Sequence, residues 1–529
     1  MKTLVKLFVV ILIVHGSTAG FVSNGLSALK NASETVKSSV SGKIESLANA
    51  TSNISASILL KALHITENGI LNLNNLIQGL SLPGSNLKDI VSSLNISVSD
   101  DGEVDLKDIF QNVNLSSVNI PDVLSLLNVT ISNGVLDFSN LIKNIASHAS
   151  LSDFVSALTV QTTEDGQLDF TGLALKYIGE VLTYSVTTED GYILEIYRIP
   201  GKGKPVVISH GLMCTADDFI IRGETSLVYK LAQEGFDVWI ITYRGSKYSR
   251  KHIELNPDTD KKAFFNYSMD DMGKKDLKAV IDLVLSTTGA DSLSLIGHSE
   301  GTSAAFILFS SIAEYADVID LFIALSPVAD LSDSGLALTA TIRLGPAINK
   351  ILLAFGVEEL LGFDSLERRL FQFLCSQGKI GYELCYNGIF GALSGYDPDQ
   401  LNLEFFHTLL GHYPAGTSRK NLIHYVQVGN NNRFAQFDYG SKNDEYYGSE
   451  IPPLYDLSKV TCRVSMYMSR NDQIVGLKAA ANVRDQLPNV VGYHIVEYDP
   501  FSHTDFTYAE NAHEQVYEQI ISELYGNSD

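Results

Sequence analysis

Only four cysteines occur in 529 residues, Cys214, Cys375, Cys385 and Cys462, too few for a scaffold built on disulfides. Basic residues are also scarce. Thirty-eight Lys and Arg stand against 61 Asp and Glu, a formal charge of −23, and nothing offers the basic stripe that a nucleic-acid partner requires. Beyond the first twenty residues there is no run of about eighteen apolar residues, so no later transmembrane helix is expected. Tyrosine, arginine and cysteine are all missing from the first 173 residues, since the first of each are Tyr177, Arg198 and Cys214. That absence divides the chain into two unlike parts. With 45% hydrophobic residues, a chain of this length has material for more than one domain and for a large core.

The amino terminus has the layout of a secretory signal peptide over residues 1–20. Lys2 and Lys6 flank an apolar stretch from Leu4 to Val14, and Gly16-Ser17-Thr18-Ala19-Gly20 supplies small residues for cleavage near Ala19 or Gly20. The apolar core is short for a membrane span, and an uncleaved anchor is the alternative. Export gives weight to seven Asn-x-Ser/Thr sequons, at Asn31, Asn49, Asn53, Asn95, Asn114, Asn128 and Asn266. It also favours oxidation of Cys375 with Cys385, which are close enough to close a small loop. Cys214 and Cys462 sit in apolar, strand-like settings and read as buried thiols.

Residues 21–172 repeat. Gly69, Gly102, Gly134 and Gly166 are spaced by 33, 32 and 32 residues, each directly after Asn or Asp. An aliphatic residue follows two places later (Leu71, Val104, Leu136, Leu168), then Asn72, Asp105, Asp137 or Asp169. The expected unit is a strand, an Asn/Asp-Gly turn, a short return strand and a helix capped by that Asn or Asp. Such units bury their apolar sides only by stacking, which predicts an array of about four repeats of 32–33 residues. A glycosylated spacer, a lipid- or partner-binding array, and an inhibitory propeptide are the three readings of its role.

From about Tyr184 the pattern changes. Tyr184–Thr188 and Tyr192–Ile199 around Asp190-Gly191 read as a hairpin. Val206–Ile208, Phe236–Tyr243, Leu293–Ile296, Val464–Met468 and Tyr493–Tyr498 read as strands, separated by helical stretches such as Ser226–Glu234, Asp276–Leu285 and Leu477–Gln486. Alternation of this kind predicts a mostly parallel sheet with its active site at the carboxyl ends of the strands. One strand runs into Gly297-His298-Ser299-Glu300-Gly301, the pattern of a nucleophile elbow. The sharp strand-to-helix turn would lift the Ser299 hydroxyl above the sheet.

A serine nucleophile needs a base, and the base needs an orienting acid. His407, His412, His424, His494, His503 and His513 follow the elbow. Asp472 and His503 fall just beyond successive strands, on the edge expected for Ser299. His494 lies inside a strand and reads as packed, and His513 as an exposed helix residue. Asp505 is too near His503 in sequence to orient it well. The Glu300 amide and the Leu212 amide, after His210-Gly211, are the candidate oxyanion donors. His210 reads as a brace for that loop.

These residues bring a family into view. Residues 180–525 resemble the acid lipases, the group of gastric and lysosomal acid lipase. The likeness is carried by Thr187-Thr188-Glu189-Asp190-Gly191-Tyr192, His210-Gly211-Leu212, Gly235-Phe236-Asp237-Val238-Trp239, Tyr248-Ser249-Arg250-Lys251-His252, Leu325-Ser326-Pro327-Val328-Ala329, Pro414-Ala415-Gly416-Thr417-Ser418 and His503-Thr504-Asp505-Phe506. The resemblance implies an α/β-hydrolase domain over residues 173–529 with a largely helical cap or lid over about 330–450 and a Cys375–Cys385 disulfide within it. It places Ser299, Asp472 and His503 in the triad and Leu212 and Glu300 in the oxyanion hole. It implies hydrolysis of neutral lipid esters at an interface, triacylglycerol or cholesteryl ester, at acidic to neutral pH, with no cofactor and no metal. Two departures stand out. Glu300 occupies a position where the family commonly has Gln, and Ser469-Arg470-Asn471 replaces the family's glycine-rich lead-in to the acid. The expected product is a secreted enzyme, with a lysosomal location as the alternative. A carboxylesterase for short soluble esters and a non-catalytic lipid-binding protein are the rival functions.

Overall fold

The computed structural model describes residues 158–354 and 356–526, with a backbone hairpin at 130–132 and 135–137. The signal peptide, most of the repeat array and six of the seven sequons lie outside the described residues. Asn266, the seventh, is exposed. In the third repeat, Thr130–Ser132 pairs antiparallel with Val135–Asp137, so Ser132 faces Val135 across Asn133-Gly134. That is the two-residue hairpin its Asn-Gly pair favours.

The fourth repeat departs from this pattern. Asp165–Gln167 forms a single tight 3-10 turn with no flanking strands. The reason is packing. A Cβ on Gly166 would stand 2.1 Å from Thr162 Oγ1 and 3.1 Å from the Thr408 carbonyl, so the glycine serves close approach rather than a hairpin. Thr162 Oγ1 donates to the His407 carbonyl at 3.0 Å, and His412 Nε2 donates to the Asp165 carbonyl at 2.9 Å. Helix α1 (Phe170–Tyr177) follows and is capped as its sequence predicts: Asp169 Oδ1 accepts the Gly172 amide at 2.7 Å. Phe170, Leu173 and Ala174 are fully buried, and Phe170 stacks on Tyr197. One compact unit begins at Thr162, and the end of the repeat region is part of its core.

That unit spans residues 162–349, 356–365 and 390–529. Its centre is an eight-stranded sheet made of β1 (Leu182–Thr187), β2 (Ile193–Ile199), β3 (Pro205–Ser209), β4 (Asp237–Ile241), β5 (Leu293–His298), β6 (Ile319–Leu325), β7 (Val464–Met468) and β8 (Val490–Ile495). The spatial order is β8-β7-β6-β5-β3-β4-β2-β1. β1 and β2 form the expected antiparallel hairpin, β2 pairs antiparallel with β4, and all other neighbours are parallel. β3, β4, β5 and β7 are buried along their whole length, as the continuous apolar runs of a sheet covered on both faces require. β8 begins three residues earlier than its sequence suggests; it ends at Ile495, paired with Met468, and Val496 N–H caps the ladder on the Met468 carbonyl. Helix α2 (Glu300–Ser311) leaves the elbow almost entirely buried. Helices α3 (Leu403–His412) and α4 (Arg419–Asn431) belong to the segment between β6 and β7.

Among the described residues, the second unit comprises 158–161, 350–354 and 366–389. It contains the Cys375–Cys385 disulfide, and in it Arg369 donates to the Leu158 carbonyl at 2.9 Å. Cys214 and Cys462 are free and buried. No helix among the described residues is long and apolar enough to cross a membrane.

Candidate active site

The register of the parallel strands brings five strand ends to one edge. Ser209 lies beside Gly297, His298 beside Leu325, and Tyr467 beside Leu325. Immediately past those ends come His210, Ser299, Ser326, Asp472 and, beyond β8, His503.

Ser299 sits in a strained turn, at φ 53° and ψ −116°, where β5 becomes α2. Glycine on either side makes the turn possible. A Cβ on Gly301 would lie 2.3 Å from the Ser209 carbonyl, and one on Gly297 would press the Gly301 backbone at 3.0 Å. The turn is pinned by Ser299 N–H donating to the Leu325 carbonyl at 3.0 Å. It leaves the Ser299 hydroxyl at the amino end of a buried helix, where the peptide dipoles favour negative charge.

The three residues picked out from sequence meet there. Ser299 Oγ is 2.8 Å from His503 Nε2, and His503 Nδ1 is 2.9 Å from Asp472 Oδ2. With Nδ1 carrying its proton toward the carboxylate, Nε2 is free to accept from the serine. Asp472 is fixed by its other oxygen, which accepts the Ile474 and Val475 amides at 2.8 and 2.9 Å. Burial alone would raise its pKa, but the His503 imidazole and these donors hold it below the ordinary carboxylate value.

Several supports were not evident in the sequence. Ser326 Oγ–H donates to Asp472 Oδ2, and Ser326 Oγ lies 2.7 Å from His503 Nδ1. Ser326 adopts φ 48°, the left-handed backbone that turns its side chain into the site. His298 Nε2 donates to the His503 carbonyl at 2.9 Å, and the Ser394 carbonyl accepts the His503 amide at 2.9 Å. Burial pushes the His298 pKa down to about 3, so the ring is a neutral brace. For Ser326 and His298 the sequence signal is position directly beside a strand end, while Ser394, at the end of a short helix, has no such signal.

His210 is also a brace. Its Nδ1 donates to the Gly211 carbonyl at 2.9 Å while Nε2 accepts the Tyr243 amide at 3.1 Å, and burial lowers its pKa to about 4. A Cβ on Gly211 would stand 3.3 Å from Ser299 Cβ, which places the Gly211-Leu212 backbone against the nucleophile. Asp505 turns away from the histidine ring: its Oδ2 accepts the Ser502 amide at 2.5 Å. His494 instead pairs with Glu523 at 2.7 Å, and His513 is partly exposed. Among the described residues no cluster of His, Cys, Asp and Glu is arranged to hold a metal.

Two family models and several known proteins are similar to this chain. The family model "Partial alpha/beta-hydrolase lipase region" matches residues 175–223, and the model "alpha/beta hydrolase fold" matches residues 204–343. Lipase 1 of Drosophila melanogaster is 35% identical over 366 residues, covering 68% of this chain and 80% of that protein. Human lipase member K is 34% identical, covering 64% and 86%. Mouse gastric triacylglycerol lipase is 34% identical, covering 64% and 87%. A carboxylesterase of Bacillus subtilis superposes with a TM-score of 0.40 at 13% identity, covering 69% of this chain and 99% of that one.

Proposed function

Because this chain belongs to the acid lipase family of the α/β-hydrolase fold and is a carboxylic ester hydrolase, we propose that it is an exported lipase cleaving neutral lipid esters by two-step acyl transfer. The observation that carries the mechanism is the unbroken chain from Ser299 Oγ through His503 to Asp472, at 2.8 and 2.9 Å.

In the first step His503 Nε2 takes the hydroxyl proton as Ser299 Oγ attacks the ester carbonyl. Asp472 keeps the imidazole in the right tautomer and stabilises the imidazolium. The carbonyl oxygen, now negative, is held by the Leu212 and Glu300 amides, with the amino end of α2 behind them. Collapse expels the alcohol, which takes its proton from His503. Water activated by the same histidine then releases the acid and restores Ser299. A triacylglycerol is the favoured substrate, since gastric triacylglycerol lipase is among the relatives. Export is supported by the leader-like first twenty residues and by the Cys375–Cys385 disulfide. Asn266, exposed in the structure, is the sequon proposed to carry glycan.

The test compares a long-chain triglyceride emulsion with p-nitrophenyl butyrate from acidic to mildly alkaline pH. Turnover of the emulsion is expected; cleavage of the short ester alone would reduce the protein to a soluble carboxylesterase. Labelling of Ser299 by a fluorophosphonate, lost in Ser299→Ala, is expected as well. A wild-type chain that takes no label is not an acyl-transfer enzyme.

A further inference from the structure

A carboxyl is buried directly beside the nucleophile. Glu300 opens α2 and is 2% exposed. Its Oε1 accepts a hydrogen bond from Asn421 Nδ2 at 2.6 Å, and the neighbouring Tyr425 hydroxyl donates to Ser303 Oγ at 3.3 Å. Asn421 stands in the first turn of α4, whose cap Ser418 accepts the Asn421 amide, and its Nδ2 also reaches Thr417 Oγ1 at 3.2 Å. The titratable groups that face Glu300 from the other packed elements are Tyr243 at the end of β4, Tyr267, and Cys214 in the loop after β3. All of these are neutral. The cation Arg244, 6.0 Å from the Tyr267 ring, is taken up by Asp190 at 2.7 Å and Asp276 at 2.6 Å. Among the described residues Glu300 forms no ion pair, and burial pushes its pKa from 4.5 up to about 7.

The segment that holds Glu300 also holds the other side of the site. Ala415 N–H donates to the Met213 carbonyl at 2.7 Å, one residue from Leu212. Residues 415–421 therefore tie down both loops whose amides are assigned to the oxyanion.

We propose that Glu300 acts through its side chain as a positioning residue: the carboxyl, held by Asn421, sets the spacing of the Leu212 and Glu300 amides, and while it carries a proton it puts no charge beside them. An ionised Glu300 would place a negative charge a few bonds from an amide that must stabilise another negative charge, in surroundings too dry to screen it. Turnover then falls as pH rises through about 7. The inference rests on the acyl-transfer reading and adds to it a pH limb belonging to one residue.

The experiment uses the full chain and p-nitrophenyl butyrate. Wild-type kcat is expected to drop about five- to tenfold between about pH 6 and about pH 8, the change in the protonated fraction of such a group. In Glu300→Gln that drop disappears, whatever the absolute rate. In Asn421→Ala, which removes a donor favouring the charged form, the drop moves to higher pH. An unchanged drop in Glu300→Gln overturns the proposal. Melting temperature gives a readout independent of turnover. The native chain keeps a proton that the unfolded chain releases, so wild type loses stability from pH 4.5 to about 7, and Glu300→Gln lacks that slope. Equal slopes in the two proteins also overturn it. A wild type without turnover at any pH, with Ser299 unlabelled by fluorophosphonate, overturns the acyl-transfer reading itself and is distinguished by that missing label.

Discussion

Two buried carboxyls, Asp217 and Glu300, sit in opposite surroundings. Asp217 Oδ2 meets Lys247 Nζ at 2.9 Å and His412 Nδ1 at 2.8 Å, and its Oδ1 accepts the Tyr248 hydroxyl at 2.7 Å. Burial acts to raise its pKa, but Lys247 and His412 hold it well below the ordinary range. Glu300 has the neutral Asn421 amide as its hydrogen-bond partner, and burial pushes it up to about 7. The stability signs are therefore opposite. Asp217 contributes stability above the usual carboxylate range, lost as pH falls into acid, whereas the Glu300 contribution is complete in acid and lost as pH rises from 4.5 to about 7. A buried charge surrounded by counter-charges anchors the fold at every working pH. A buried acid without them remains adjustable, and this one adjoins the nucleophile.

The comparison breaks hardest at a third buried carboxylate. Asp472 belongs with Asp217 in being held ionised, yet its partner is His503, the proposed base, and not a structural cation. Asp472→Asn is expected to lower kcat about 10⁴-fold while leaving the fold intact, because the imidazole takes the wrong tautomer. Steady-state turnover and circular dichroism on the same sample check both halves; a loss of only a few-fold would mean that another group orients His503. The next largest effect lies in stability. Lys247→Met keeps most of the packing of the lysine stem but removes one counter-charge from Asp217. A loss of about 3 kcal/mol is expected, read as a lower denaturation midpoint. An unchanged midpoint would place Asp217 and Glu300 in the same class after all.

Most of the site could be read from the sequence, for physical reasons. Gly297-His298-Ser299-Glu300-Gly301 encodes a turn that almost nothing else permits, and apolar runs ahead of Asp472 and the residues around His503 mark strand ends. What sequence cannot display is a partner chosen by the fold. Ser326 looks like any serine before a proline until register sets Leu325 beside His298 and Tyr467. Asn421 lies 121 residues from Glu300, and nothing local links them. The Asp165-Gly166 pair shows the opposite failure. Its local signal for a hairpin is as good as that of Asn133-Gly134, but Gly166 is needed against Thr408 and Gly411, and packing overrides the turn.

The smallest expected effect concerns Ser326 and tests how much of the Asp472 behaviour belongs to the carboxylate alone. Its hydroxyl donates to Asp472 Oδ2 while its oxygen stands 2.7 Å from His503 Nδ1, so it braces both partners of the same bond. Ser326→Ala leaves Asp472 its imidazole and two backbone amides, and a single hydrogen bond to a charged group is worth about 1.5–3 kcal/mol at most. Since that bond exists before and after the proton moves, only part of it bears on the transition state. A three- to tenfold fall in kcat with KM unchanged is the expected result, of the order of one such partial bond. A fall as large as that of Asp472→Asn would transfer the orienting role from the carboxylate to the hydroxyl.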